Sequence, residues 1–164
     1  MSIIVIAHNI RSTHNVGSIL RTADGFGVKR VFLTGYTPYP TQPDDTRLPH
    51  IRNKITNQIH KTALGAEQTV PVTYSQDVLG ILTALKQQGY RLVALEQGAK
   101  AVPLPQLRPA QHVALLLGEE VHGINPDLQK LCDTITEIPM AGKKESFNVS
   151  VATGIALYQL ANHP

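Results

Sequence analysis

One cysteine, Cys132, is all the thiol in a chain of 164 residues, which excludes an internal disulfide and a thiolate metal cluster. That scarcity suits a reducing, cytoplasmic setting. Charge is sparse too: 16% of residues are Asp, Glu, Lys or Arg, leaving less solvated surface than a lone monomer usually carries and favouring a partner surface. No apolar run approaches the roughly 18 residues of a membrane span. The opening Met1-Ser-Ile-Ile-Val-Ile-Ala has no basic region and turns polar at His8, so neither a membrane nor a targeting signal is expected. The seven histidines, at 8, 14, 50, 60, 112, 122 and 163, form no HxxxH pair, and no metal site is expected. No serine is framed as GxSxG, and Cys132 falls in a helical pattern as a small core residue.

What is present is apolar and alternating. With 42% hydrophobic residues, the chain can bury a sizeable core and reads as a single domain over residues 1–164. Short β-branched runs at Ile3–Ala7, Arg30–Leu33, Val70–Thr73, Leu92–Leu95, Val113–Leu117 and Thr134–Ile138 read as strands. Helical patterns fall between them, at Asn15–Phe26, Gln76–Gln87, Pro126–Leu131 and Val149–Ala161, with Gly27 and Gly89 as stops. Near-continuous apolarity in Val113–Leu117 marks a strand covered on both faces. The fold class is therefore α/β: a mainly parallel sheet with helices on both faces. Prolines at 38, 40, 43 and 49 make Gly35–Pro49 a functional or ordering loop. Beyond it, Arg47, His50, Arg52, Lys54, His60 and Lys61 occur with no acidic residue between Asp45 and Glu67. Such a cluster is either a phosphate contact or a solvated basic edge. The net charge of +3 is compatible with an acidic ligand such as RNA without requiring one.

Three stretches carry chemistry. Asn15 is a candidate helix cap, and Val16, Ile19, Leu20, Ala23 and Phe26 make one apolar stripe, which leaves Arg21 nearly opposite it, exposed or facing a site. Gly118-Glu-Glu-Val-His-Gly123 follows the buried strand, at the end of a parallel strand where α/β ligands usually bind. It is no P-loop, because Ile124-Asn125 stands where Lys-Ser/Thr belongs, and Gly25-Phe-Gly27 makes no GxGxxG. ATP hydrolysis and a dinucleotide site lose support. Adjacent Glu119 and Glu120 diverge in direction, so one anchoring glutamate is a better reading than an acid/base pair. Finally, Ser146 and Asn148 either cap the last helix or orient a ligand against the Ile138–Gly142 loop. That helix is apolar around most of its circumference, which predicts burial on more than one face.

Together, Asn15-Val-Gly-Ser-Ile-Leu-Arg-Thr-Ala, Leu117-Gly-Glu-Glu-Val-His-Gly-Ile124 and Ile138-Pro-Met followed by Glu-Ser-Phe-Asn-Val149 resemble motifs 1, 2 and 3 of the SpoU/TrmH class of SPOUT RNA methyltransferases. Lys61-Thr-Ala-Leu-Gly-Ala-Glu67 and Leu33–Pro38 are also similar to that class. The resemblance implies a deep C-terminal trefoil knot, a homodimer, and methyl transfer from S-adenosylmethionine to a ribose 2′-hydroxyl of tRNA or rRNA. By position it implies that Leu95, Glu96, Gly118, Ile138, Met140 and Phe147 line the cofactor pocket. Arg21 corresponds to the catalytic arginine, with Asn15, Glu120, Ser146 and Asn148 as its companions. In motif 2, Glu119 and Val121 replace the family's usual Asn and Gly. No appended RNA-binding domain is read, so RNA contact is expected through Arg11, Arg47, Arg52, Lys54 and Lys143, or through a partner protein. A base-methylating SPOUT enzyme, a non-catalytic RNA-binding relative and a small-molecule α/β enzyme are the alternatives.

Overall fold

The computed structural model describes residues 1–108 and 110–162; His163 lies outside them. Its strands are β1 (Ser2–His8), β2 (Arg30–Thr34), β3 (Val72–Ser75), β4 (Arg91–Leu95), β5 (Val102–Pro103), β6 (His112–Leu117) and β7 (Thr134–Glu137). Its helices are α1 (Thr13–Gly25), α2 (Pro49–Ala63), α3 (Ala66–Thr69), α4 (Val78–Gln87), α5 (Pro126–Leu131) and α6 (Val149–Asn162). One sheet runs in the order β3-β2-β1-β6-β4-β7-β5, and every pairing is parallel.

Alternation along the central strands divides the core. Ile3, Val5 and Ala7 of β1 and Val113, Leu115 and Leu117 of β6 point to one face, where α1, α2 and α6 contribute Ile19, Leu20, Ile59 and Leu157. Ile4, Ile6, Ala114 and Leu116 point to the other, against Leu82 and Leu85 of α4 and Leu128 of α5. Burying each large side chain contributes roughly 1.5–3 kcal/mol, so both faces of these strands stabilise the sheet. This is the physical basis of the unbroken apolar run in β6. The chain winds outward from β1 to β3, then resumes with β4 on the other side of β1. Such a reversal opens a crevice beyond the carboxyl ends of the central strands.

Several local expectations change. The basic stretch after the proline loop is the 15-residue helix α2, which the sequence pattern alone did not identify. Pro49 is its first residue, where a missing N–H costs nothing. Ile51, Ile55, Ile59 and Ala63 recur every fourth residue, a narrow stripe among polar neighbours. β3 starts two residues later than expected because the Val70 N–H is taken by the Ala66 carbonyl, closing α3. The short strand β5 was also unforeseen. Ser12, not Asn15, caps α1: its Oγ accepts from the Asn15 N–H at 3.2 Å, which leaves the Asn15 amide free for other contacts.

Candidate active site

A cavity of about 780 Å³ opens at the carboxyl ends of β4, β6 and β7 and beside the start of α6. Leu95 and Glu96 come from the end of β4, Gly118 and Glu120 from the turn after β6, and Ile138 from the end of β7, while Ser146, Phe147 and Asn148 lead into α6. All of these were singled out in the sequence. Met140 is partly buried outside the lining. Unforeseen lining residues include Glu137, Glu145 and His122. His122 and Glu145 lie within the motif stretches without having been singled out, and Glu137 ends β7, where strand periodicity gives no sign of a ligand.

The turn after β6 is held from within and from β4. Glu119 and Gly123 exchange backbone hydrogen bonds at 2.9 and 3.2 Å. The Glu96 carboxylate accepts the Ile124 N–H at 2.7 Å, which ties β4 to this turn. A Cβ on Gly118 would lie 2.5 Å from Ile124 Cγ1 and 2.6 Å from the Gly123 carbonyl carbon, so glycine is required there for close approach. Gly123 has φ +68 and backs onto the Glu96 carboxylate.

Across the mouth runs one line of hydrogen bonds. Asn148 Nδ2 donates to Asn15 Oδ1 at 3.1 Å, and Asn15 Nδ2 donates to Glu120 Oε1 at 3.0 Å. The Arg11 N–H reaches the other Glu120 oxygen at 3.3 Å. Asn148 Oδ1 meanwhile accepts from the Ser150 N–H at 2.9 Å and from Ser150 Oγ at 2.7 Å, so it also caps α6. The capping reading of Asn148 is realised, and its amide is left to reach Asn15. Asn15 and Arg11 thus join the site from outside the cavity lining.

Charge in the cavity has one sign. Five carboxylates, Glu96, Glu119, Glu120, Glu137 and Glu145, line it with no lysine or arginine. Burial pushes the Glu119 carboxyl up, but hydrogen bonds with His122 and Tyr36 and the charge of Arg11 outweigh it and hold it below the usual carboxylate range. Glu119 Oε1 lies 2.6 Å from Arg11 Nη2 and 3.2 Å from His122 Nδ1. This lining suits a positively charged ligand and repels phosphate.

The remaining named residues sit elsewhere. Arg21 is exposed on α1, two turns beyond the Asn15 end and outside the lining. Lys54 and Lys143 are exposed, and Arg52 is half-buried with Nη1 on the Asp45 carbonyl at 3.2 Å. Arg47 points inward: it pairs with Asp45, donates to the Tyr39 carbonyl at 3.1 Å and covers the Tyr39 ring at 3.5 Å. Its role is to anchor the proline-rich loop.

A parallel sheet covered by helices on both faces, with a cavity at its strand ends, defines an open α/β protein. The chain belongs to the SpoU rRNA Methylase family, whose profile matches residues 2–158. It is 31% identical to the 23S rRNA (guanosine-2′-O-)-methyltransferase of Vibrio vulnificus over 96% of this chain and 58% of that one. Identity is also 31% with the tRNA (guanosine(18)-2′-O)-methyltransferase of Aquifex aeolicus, over 96% of this chain and 67% of the other. In fold it is similar to the AdoMet-bound rRNA methyltransferase of Sinorhizobium meliloti, with TM-score 0.81 and 24% identity over 99% of this chain and 56% of that one. The chain spans between about a third and two thirds of the curated relatives it matches.

Proposed function

We propose that this protein transfers a methyl group from S-adenosylmethionine to a ribose 2′-hydroxyl of tRNA or rRNA. The observation that carries this reading is the hydrogen-bonded line Asn148–Asn15–Glu120, which draws three separated sequence blocks to the mouth of one acidic cavity. The cavity fits the cofactor in kind: five carboxylates and no lysine or arginine among the described lining residues match a ligand whose sulfonium and ammonium outweigh its one carboxylate. Leu95, Glu96, Gly118, Ile138 and Phe147 would hold it. When bound, the cofactor supplies a methyl group on a positively charged sulfur.

The chain's own residues then have separable tasks. Asn15, Ser146 and Asn148 orient the ribose, and Glu120 fixes Asn15 and the Arg11 backbone in place. Arg21 presents a planar guanidinium fork suited to an RNA phosphate, so its task is to hold that phosphate and steady the charge that develops as the hydroxyl gives its proton to water. Arg11, Arg52, Lys54 and Lys143 extend the RNA surface, while Arg47 is left to the loop it anchors.

Three further features belong to this reading. A C-terminal trefoil knot is supported by the strand order, in which β6 enters between β1 and β4 and β7 between β4 and β5. Homodimerisation is supported by an exposed apolar stripe on α6: Val151, Ile155 and Tyr158 are 50%, 36% and 59% exposed at i, i+4 and i+7 spacing. Residues 1–164 act as one catalytic domain in the cytoplasm, where the free Cys132 thiol stays reduced.

Incubating the protein with radiolabelled S-adenosylmethionine and either tRNA or rRNA, then digesting to nucleosides, tests the proposal. A 2′-O-methylnucleoside is the expected product. Label confined to a base, or no transfer to either RNA, overturns it.

A further inference from the structure

Tyr36 is 51% exposed on a backbone pinned from several sides. Its own N–H donates to Asn9 Oδ1 at 3.2 Å, and Asn9 adopts φ 58, a conformation uncommon outside glycine. The next residue, Thr37, is buried, and its hydroxyl serves the Ile10 N–H at 3.0 Å and the Ala7 and Thr34 carbonyls at 3.0 and 2.8 Å. The loops after β1 and β2 are thereby locked together. A large ring left half in water on a backbone so fixed has gained little burial for the order imposed on its loop, which suits a surface prepared for a ligand.

Its neighbours say which ligand. The Arg11 guanidinium carbon lies 6.0 Å from the ring centroid, and Nη2 is bound to Glu119 at 2.6 Å. Arg11 is thus an already neutralised planar group, and with Glu119 and Glu120 alongside, a phosphate is repelled. A flat, uncharged group is not. Through Arg11, whose N–H reaches Glu120, the ring connects directly to the Glu120–Asn15–Asn148 line.

We infer that Tyr36, with Arg11 over one side of its ring, is a stacking platform for an unpaired RNA base next to the reacting ribose. This rests on the RNA reading above. A base that must be splayed out of its own stack is stabilised by an aromatic face and by a guanidinium plane. The platform also gives Arg11 a task that charge alone does not describe.

The chain contains no tryptophan, so Tyr36→Trp creates a single fluorescent reporter at the platform. Titrating this variant with unfractionated tRNA and with rRNA is expected to quench its emission saturably, as a stacked base does. In anisotropy measurements with the same RNAs, Tyr36→Ala weakens binding about five- to a hundredfold. Tyr36→Phe restores it, although phenylalanine also lacks the hydroxyl that bonds Glu119. Blue-shifted emission that ignores RNA, marking a ring covered by protein, overturns the inference. So does a Tyr36→Ala protein that binds RNA like wild type, or a Tyr36→Phe protein as weak as Tyr36→Ala. A wild type that binds RNA without methylating it overturns the proposed function alone, and the Tyr36 variants still decide the platform. A wild type that binds neither RNA overturns both.

Discussion

Asn15 Nδ2 donates to Glu120 Oε1 at 3.0 Å, fastening the first turn of α1 to the turn after β6. Asn15 is available for this because Ser12 caps the helix instead. Removing either partner leaves the other facing the cavity mouth without its bond. Asn15→Ala and Glu120→Ala are each expected to lower kcat about 10²-fold, with a clearly non-additive double variant. Steady-state kinetics of the three variants check this, and fully additive losses contradict it.

Gly118 has no room for a methyl group, being hemmed in by Ile124 and Gly123. Gly118→Ala must push the turn away from β4, breaking the bond from the Ile124 N–H to Glu96. A stability loss of about 1–3 kcal/mol and loss of S-adenosylmethionine binding are expected, measured by urea melts and calorimetry. Unchanged cofactor affinity would show that the turn is not a cavity wall.

Arg21 stands apart from the cavity lining, so its substitution separates binding from transfer. Arg21→Ala is expected to abolish methyl transfer while leaving cofactor affinity near wild type. Arg21→Lys fails as well, because a point charge does not reproduce a planar fork. Single-turnover assays with saturating cofactor read both outcomes.

Asp45 has no exposed side-chain surface and is bonded by the Arg47 guanidinium. That contact holds its carboxyl well below the usual carboxylate range. With the folded value lowered, the stabilisation is fully present above the unfolded value near pH 4 and is lost as pH falls below it. Asp45→Asn is therefore expected to cost about 1–3 kcal/mol at pH 7, with the gap to wild type narrowing at pH 3. Equal gaps at both pH values in denaturant melts would contradict the ion pair.

The stripe Val151, Ile155 and Tyr158 offers a continuous apolar contact on α6. Placing a charge at its centre by Ile155→Asp is expected to convert a dimer to a monomer in sedimentation experiments without unfolding the chain. A wild type that sediments as a monomer, or a variant that sediments like a dimeric wild type, contradicts this assignment.

The sequence by itself determined the alternating strands and helices, because β1 and β6 are apolar on both faces and α1 and α4 carry broad stripes. It also brought forward Gly118, Ser146 and Asn148, since small and polar residues interrupt apolar runs there, while Glu120 and Phe147 came only from the family resemblance. Helix α2 escaped because its stripe is one isoleucine wide and its first residue is proline. Only the tertiary structure decided that Asn15 faces Glu120 and Asn148 across 105 and 133 residues of chain. It likewise turned Arg47 inward onto Asp45 and Tyr39, although its sequence neighbourhood resembles that of the exposed Lys54. Periodicity reports which side of an element is buried; it carries no information about which distant side chain completes a hydrogen bond or covers a charge. Those partners are fixed by the path of the loops that bring β4, β6 and β7 to one crevice.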